Sequence, residues 1–407
     1  MSSTDDSPAG RKQAVNRRDV LKAGGVGAVS LALLATEAGS AAAAGKGKSS
    51  SIAGQTAAGE GGQPLLPTPP PQSDPPALAQ FQPMARTASD FMVDVLKTLD
   101  FEYMCANPSD LFAALHESLT GPYGGNTKPE WITCTHEEIG VAMGHGYYKI
   151  EGKPIITSGH STVGLMHASM AVYNAYCDRV PVYMVFGDEQ RPTNHAVLDA
   201  SAPLRDFIRW YQRPESLQAF ADDAVQAYSF AMTPPTAPVL LAVEFELQER
   251  PLKGPGPRIP KLSVPVYSQV ESGALEETAR LLAGARHPLI VCDRYARTQA
   301  GIDRLVELAE LLQVPVIDRG GRMNFPKRHP LNQSFFDDER QLTDEADVIL
   351  GLETNMASFA RTKARTLSIG AEDAYNRGNY QEIGKYGGVD LLMAGDAEAS
   401  MPALIEA

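Results

Sequence analysis

Short apolar runs alternate with segments of helical period through most of this chain, and that alternation restricts it to an α/β fold. Residues 101–106, 131–135, 155–158, 181–186 and 239–243 are too short for helices, and too continuously apolar for strands with one wet face. Between them lie helical segments. Over 87–99, Phe91, Val95 and Leu96 share a face with Leu99 close by, and residues 137–150, 163–177 and 222–233 are further helices. Asn107-Pro108-Ser109-Asp110 is a turn able to cap a helix starting near Leu111, and Gly152-Lys153-Pro154 turns the chain into the next strand. The pattern predicts a doubly wound parallel sheet over about 83–250.

A link rich in Pro, Gly and Lys (251–265) leads to a second α/β unit over 265–407. Its predicted helices cover 275–283 and 302–312, the latter with Leu305, Leu308, Ala309 and Leu312 apolar, and a final helix follows Gly395-Asp396-Ala397. Its strands cover 288–292, 314–318 and 347–352. The arrangement is Rossmann-like, but no GxGxxG follows a strand, so a structural role is expected rather than FAD binding.

The N-terminal part is of a different kind. Arg11, Lys12, Arg17, Arg18 and Lys22 precede a short Gly/Ala-rich apolar run and then small residues near 40–44. Asn16-Arg17-Arg18-Asp19-Val20-Leu21-Lys22 resembles a twin-arginine signal, which implies export to a periplasmic or extracytoplasmic location. The apolar run is too short and too glycine-rich to span a membrane, so no span is expected in the mature chain. Residues 45–82, centred on Pro67-Thr68-Pro69-Pro70-Pro71, lack the apolar side chains of a core and are predicted to be an extended or disordered linker. A net charge of −13 argues against nucleic acid or an anionic membrane as partner. Cys105, Cys134, Cys177 and Cys292 are scattered without a CxxC and read as small buried hydrophobes.

Chemistry concentrates where the strand at 131–135 runs into His136-Glu137-Glu138-Ile139-Gly140, which puts a glutamate where a strand ends and a helix begins. In open α/β sheets that edge is where ligands bind. Taken alone, Glu137 reads more readily as a first-turn carboxylate favoured by the helix dipole. Its neighbour Glu138 is expected to face solvent, while Ile139, Val141 and Ala142 are expected to wall an apolar pocket. His136, His145, His160 and His167 show no HExxH or i,i+4 pairing, so no metal site is expected. No nucleophile elbow of the Gly-x-Ser-x-Gly type is present either.

The order of these blocks resembles the thiamine diphosphate-dependent enzymes of the acetolactate synthase and 2-oxo acid decarboxylase family. The resemblance rests on the Glu137 block closed by Gly146-Tyr147, Glu151-Gly152-Lys153-Pro154, Thr157-Ser158-Gly159, and Asn174-Ala175-Tyr176 running to Val180-Pro181. Ile208-Arg209-Trp210 and Pro214-Glu215 extend it, and Phe325-Pro326 with His329-Pro330-Leu331 are similar to the family's central domain. The resemblance implies a pyrimidine-binding domain followed by a central domain. It implies that Glu137 hydrogen-bonds the cofactor's pyrimidine ring and activates it, and that a 2-oxo acid is the substrate. His160-Ser161-Thr162-Val163-Gly164 is similar to the His-Ser-x-x-Gly of benzoylformate decarboxylases, which makes His160 a candidate proton shuttle and Ser161 and Gly164 candidate cofactor contacts. A polar contact at a helix N-terminus is an equal reading of His160. Asn107 and Pro108 lie on a turn similar to the decarboxylases' Asn-Pro-Gly-Ser, with the glycine missing. Gly144 and Gly146 are expected to be close-packing positions.

The family holds Mg²⁺ and the diphosphate through Gly-Asp-Gly and two later asparagines. Gly187-Asp188-Glu189 and Gly395-Asp396-Ala397 both lack the third glycine. The expectation is therefore a half-site, with Mg²⁺ reached only through a missing or separate domain and completed by a homodimer or a diphosphate-domain chain. The alternatives are an inactive truncated fragment, or a non-catalytic binding or regulatory protein that reuses the fold.

Overall fold

A computed structural model describes residues 86–189, 197–334, 339–359, 361–371 and 388–407. The export signal and linker expected over 1–82 lie outside the described residues, among which no helix is long and apolar enough to cross a membrane.

The first sheet has six parallel strands. In chain order its elements are α1 (Ala88–Thr98), β1 (Tyr103–Ala106), α2 (Ala113–Thr120), β2 (Glu130–Thr133), α3 (Glu137–Glu151), β3 (Ile156–Ser158), α4 (Val163–Cys177) and β4 (Tyr183–Asp188). Then come β5 (Trp210–Gln212), α5 (Leu217–Ala231), β6 (Val239–Glu244) and α6 (Phe245–Glu249). The strand order is β2-β1-β3-β4-β6-β5. Every residue of β4 and β6 is buried, as their unbroken apolar runs require of central strands covered on both faces. α1 begins at Thr87, whose amide donates to Asp90 Oδ2 at 3.0 Å, and it turns Phe91, Val95, Leu96 and Leu99 into the core.

This strand order places a topological switch between β1 and β3. The chain leaves β1 for β2 on one side, and α3 then carries it back across β1 to β3 on the other. The carboxyl ends of β1 and β3 therefore face the first turn of α3, and the Asn107 amide donates to the Ser158 carbonyl across that gap at 3.3 Å.

The second sheet is also all parallel, in the order β11-β10-β9-β7-β8. Its elements are α7 (Ser272–Gly284), β7 (Pro288–Cys292), α8 (Gln299–Leu312), β8 (Val316–Asp318), α9 (Glu339–Glu345), β9 (Val348–Leu352), β10 (Arg365–Gly370), β11 (Leu391–Ala394) and α10 (Ala397–Glu406). The α/β fold class is as expected. α5 starts five residues earlier than its periodicity suggested, because Ser216 caps it with Oγ accepting from the Ala219 amide at 3.1 Å. β5, β10 and β11 are not apparent in the sequence. β5 is a three-residue strand, β10 (Arg365–Gly370) is broken by polar residues, and β11 is an apolar run of four residues that is largely exposed.

Ionic contacts tie the two sheets together. Asp178, just past α4, accepts from Lys149 Nζ at 2.7 Å and pairs with His145 Nε2 at 2.8 Å, both on α3. Its other oxygen accepts from Arg322 Nη1 at 2.9 Å, and Arg322 lies beyond β8. Burial alone would raise the Asp178 carboxyl, but the bond from His145 and the charges of Arg322 and Lys149 outweigh it and hold it well below the usual carboxylate range. Next in the chain, Arg179 donates to the buried Glu353 at 2.8 Å.

Candidate active site

Glu137 is the first residue of α3 and only 5% exposed. One carboxylate oxygen, Oε1, accepts from Asn107 Nδ2 at 3.0 Å. The other, Oε2, is buried and finds no hydrogen-bond partner among the described residues, and His167 Nδ1 on α4 stands 3.6 Å from it. A buried carboxylate oxygen without a partner is costly, and such atoms in folded proteins call for a ligand or an ordered water.

Two glycines make room for this side chain. An added Cβ at Gly159 would stand 2.5 Å from Glu137 Cγ and 2.9 Å from Phe186 Cε1. At Gly164 it would stand 2.7 Å from Glu137 Oε1. Gly159, directly after β3, and Gly164, the second residue of α4, are therefore part of the cradle. Gly164 is among the candidates named from sequence. Gly159 is not, although its place directly after β3 could have pointed to it.

The apolar wall differs from expectation. Val141 is buried, but Ile139 and Ala142 are exposed on the outer face of α3. At helical spacing, positions two and five residues past Glu137 point away from it. The wall comes from the other side instead, through Phe186 and the two glycines. Glu138 is exposed, as expected. Gly144 does pack closely, with a would-be Cβ 3.3 Å from Thr157 Cγ2, whereas Gly146 has nothing within 4 Å.

The remaining candidates divide. Asn107 meets Glu137 directly, while Pro108 is exposed on the turn after β1. Ser109 is a cap, its Oγ accepting from the Leu111 amide at 3.2 Å. Ser161 is 1% exposed with an Oγ that lacks a partner among the described residues, and Thr157 Oγ1 on β3 is in the same condition. His160 continues the line of β3, forming a parallel bridge to Gly187. Its Nδ1 accepts from the Thr162 amide at 3.2 Å, which assigns the ring proton to Nε2. The helix-terminal contact is thus real, and it leaves Nε2 as a donor.

Sequence spacing shows no metal set, but the fold brings His136, Glu137 and His167 together with one ligand atom from each within 4.8 Å. The His136 and His167 rings stack with centroids 4.6 Å apart and planes 6° from parallel. His136 caps α3 and His167 lies on α4, 31 positions later, which local spacing cannot reveal. Asp188 and Asp396, the aspartates of the two Gly-Asp pairs, are both buried against arginine: Arg213 Nε lies 3.0 Å from Asp188, and Arg297 Nη2 donates to Asp396 at 2.8 Å.

Comparison with known proteins places these features. Residues 86–213 match the thiamine pyrophosphate enzyme N-terminal TPP-binding domain, and residues 275–404 match the thiamine pyrophosphate enzyme central domain. Benzoylformate decarboxylase of Pseudomonas aeruginosa is 25% identical over 206 residues, covering 49% of this chain and 39% of that protein. Acetolactate synthase of Mycobacterium leprae is 21% identical over 346 residues, covering 81% of this chain and 54% of that protein. The fold matches the crystal structure of benzoylformate decarboxylase from Polynucleobacter necessarius with a TM-score of 0.67 at 19% identity, covering 79% of this chain and 61% of that one. The chain spans about half the length of the curated relatives it matches.

Proposed function

The chain belongs to the thiamine pyrophosphate enzyme family, and on that basis we propose that the cradle around Glu137 receives the pyrimidine ring of thiamine diphosphate. The observation that carries this reading is the unpartnered, buried Oε2 of Glu137, held in a recess that only glycine at 159 and 164 leaves open. A carboxylate in that state suits a ring nitrogen with which it can share a proton. When bound, thiamine diphosphate supplies a carbon nucleophile and an electron sink.

The chain's own residues then have distinct tasks. Asn107 fixes Oε1 by donating to it, so that Oε2 is the oxygen that exchanges the proton. Gly159 and Gly164 leave the space in which the carboxylate lies. His160, with its proton on Nε2, is suited to donate to a substrate oxygen or carbon at the carboxyl edge of β3. Ser161 Oγ offers a buried hydroxyl to the cofactor or substrate.

The reaction we propose is decarboxylation of a 2-oxo acid, with or without ligation of the acyl unit to an acceptor. It is supported by the names of the relatives, which include a benzoylformate decarboxylase and acetolactate synthases. Mg²⁺ and the diphosphate would be held by a domain outside the two matched here, in a continuation of the chain or a second protein. α3 and α4, which pack on each other, expose Ile139 and Met143 on one and Met166 and Met170 on the other, and this apolar surface is suited to the second subunit of a homodimer or to that diphosphate-binding domain. Export through the twin-arginine route, with function outside the cytoplasm, is part of the same proposal.

Calorimetric titration with thiamine diphosphate and Mg²⁺ tests it, first on the chain alone and then with a diphosphate-binding domain from the same source. Binding in the mixture supports the half-site. Failure to bind in both cases would overturn it and favour a non-catalytic use of the fold.

A further inference from the structure

We propose that His136, Glu137 and His167 form a binding site for a borderline divalent cation of the zinc class. Two imidazoles and one carboxylate are a donor set such ions prefer, and magnesium or calcium would call for more oxygen ligands. The three residues already present donor atoms within 4.8 Å of one another. Within this set Glu137 Oε2 is a buried carboxylate oxygen with no hydrogen-bond partner among the described residues, and it stands 3.6 Å from His167 Nδ1.

The geometry needs a closure and a turn of one ring, because the two imidazoles lie in planes 6° from parallel and their in-plane lone pairs do not converge. Bonds near 2 Å in a tetrahedral site set donors roughly 3.3 Å apart. His167 can supply the movement, since its side chain is 56% exposed and, among the described residues, only the His136 ring stacks on it. That same exposure leaves the fourth coordination position open to water. His136 Nδ1 accepts from the Glu138 amide at 3.3 Å, and ligation through either ring nitrogen gives up that contact. It is longer than the capping bonds of Ser216 or Thr298, both 3.1 Å, so it is the weaker restraint.

The cation would hold the carboxylate that the proposed pyrimidine contact needs, so metal and cofactor would compete. That consequence rests on the reading of Glu137 given above, whereas the binding itself does not.

The test uses the untagged full chain, titrated with Zn²⁺ in a calorimeter and with Co²⁺ followed by its visible ligand-field bands. One cation per chain is expected. His167→Ala, which alters an exposed side chain, and His136→Asn, which keeps a capping acceptor, should each weaken binding at least tenfold and abolish the Co²⁺ bands. No saturable binding, or an affinity unchanged in His167→Ala, would overturn the site. Titrating thiamine diphosphate with the diphosphate-binding domain separates the two readings: zinc binding without cofactor binding keeps the metal site and removes the pyrimidine role, and cofactor binding without zinc binding does the reverse.

Discussion

Asn107 Nδ2 and Glu137 Oε1 are joined by a 3.0 Å hydrogen bond that links the carboxyl end of β1 to the first turn of α3. The bond occupies one carboxylate oxygen and so decides which one is left to act. Glu137→Gln keeps the shape of the side chain and removes its capacity to take a proton. The expected outcome is an unchanged fold with turnover of 2-oxo acids, followed as carbon dioxide release from the complete enzyme, reduced by about 10²–10⁴-fold. Asn107→Ala should give a smaller loss, on the order of tenfold, because a bond to a charged group is removed but the carboxylate survives. Full activity in Glu137→Gln would remove the central role of this residue.

The glycine cradle makes a second, purely steric prediction. In Gly164→Ala the new methyl carbon meets Glu137 Oε1, and in Gly159→Ala it meets both Glu137 Cγ and the Phe186 ring. Gly159→Ala is therefore the more disruptive, costing about 1–3 kcal/mol of stability by overpacking. Gly164→Ala should shift the carboxylate with little loss of stability, because the end of one side chain can move. Urea unfolding and cofactor titration on both variants check the ranking. Equal stability together with normal cofactor binding in both would contradict the cradle.

The fold class and the position of Glu137 are legible in the sequence because both depend on local pattern. Buried parallel strands are written as unbroken apolar runs, and the β2-to-α3 junction places a carboxylate at a sheet edge by chain order alone. What cannot be read is whatever depends on two distant segments meeting. His167 reaches Glu137 only through the packing of α4 on α3, and the Asp178–Arg322 contact joins residues 144 positions apart. The exposed faces of Ile139 and Ala142 mislead for a related reason. Apolar side chains beside a functional residue suggest a pocket, but helical geometry turns them outward.

Asp178 carries a prediction about acid. Its folded pKa is depressed despite burial, through His145, Arg322 and Lys149. The stabilisation is therefore fully present above the unfolded carboxyl value of about 3.9, and it is lost as pH falls through the lower folded value. At neutral pH Asp178→Asn should destabilise the protein by roughly 3 kcal/mol, since it strands Arg322 without its counter-charge. Below about pH 4 the difference between wild type and variant should shrink. Denaturant unfolding at neutral pH and at successively lower pH measures both values, and a difference independent of pH would show that Asp178 acts through packing alone.

The outer faces of α3 and α4 carry the last prediction. Ile139 and Met143 are 44% and 40% exposed at i,i+4 spacing, and Met166 and Met170 are 59% and 62% exposed at the same spacing on the neighbouring helix. Four large apolar side chains on adjoining helices are costly to leave in water, and the partner proposed for this face would cover them. A charge among these side chains would be desolvated by any partner seated there. Met170→Glu should therefore weaken association at least tenfold while leaving the unfolding midpoint of the isolated chain nearly unchanged, because that side chain contributes little to its own core. Sedimentation of wild type and variant, alone and with the diphosphate-binding domain, identifies the partner. If the mass drops for the chain alone, the face joins two copies, and if only the mixed complex is lost, it receives the other domain. Association unchanged in both settings would show that the partner binds elsewhere.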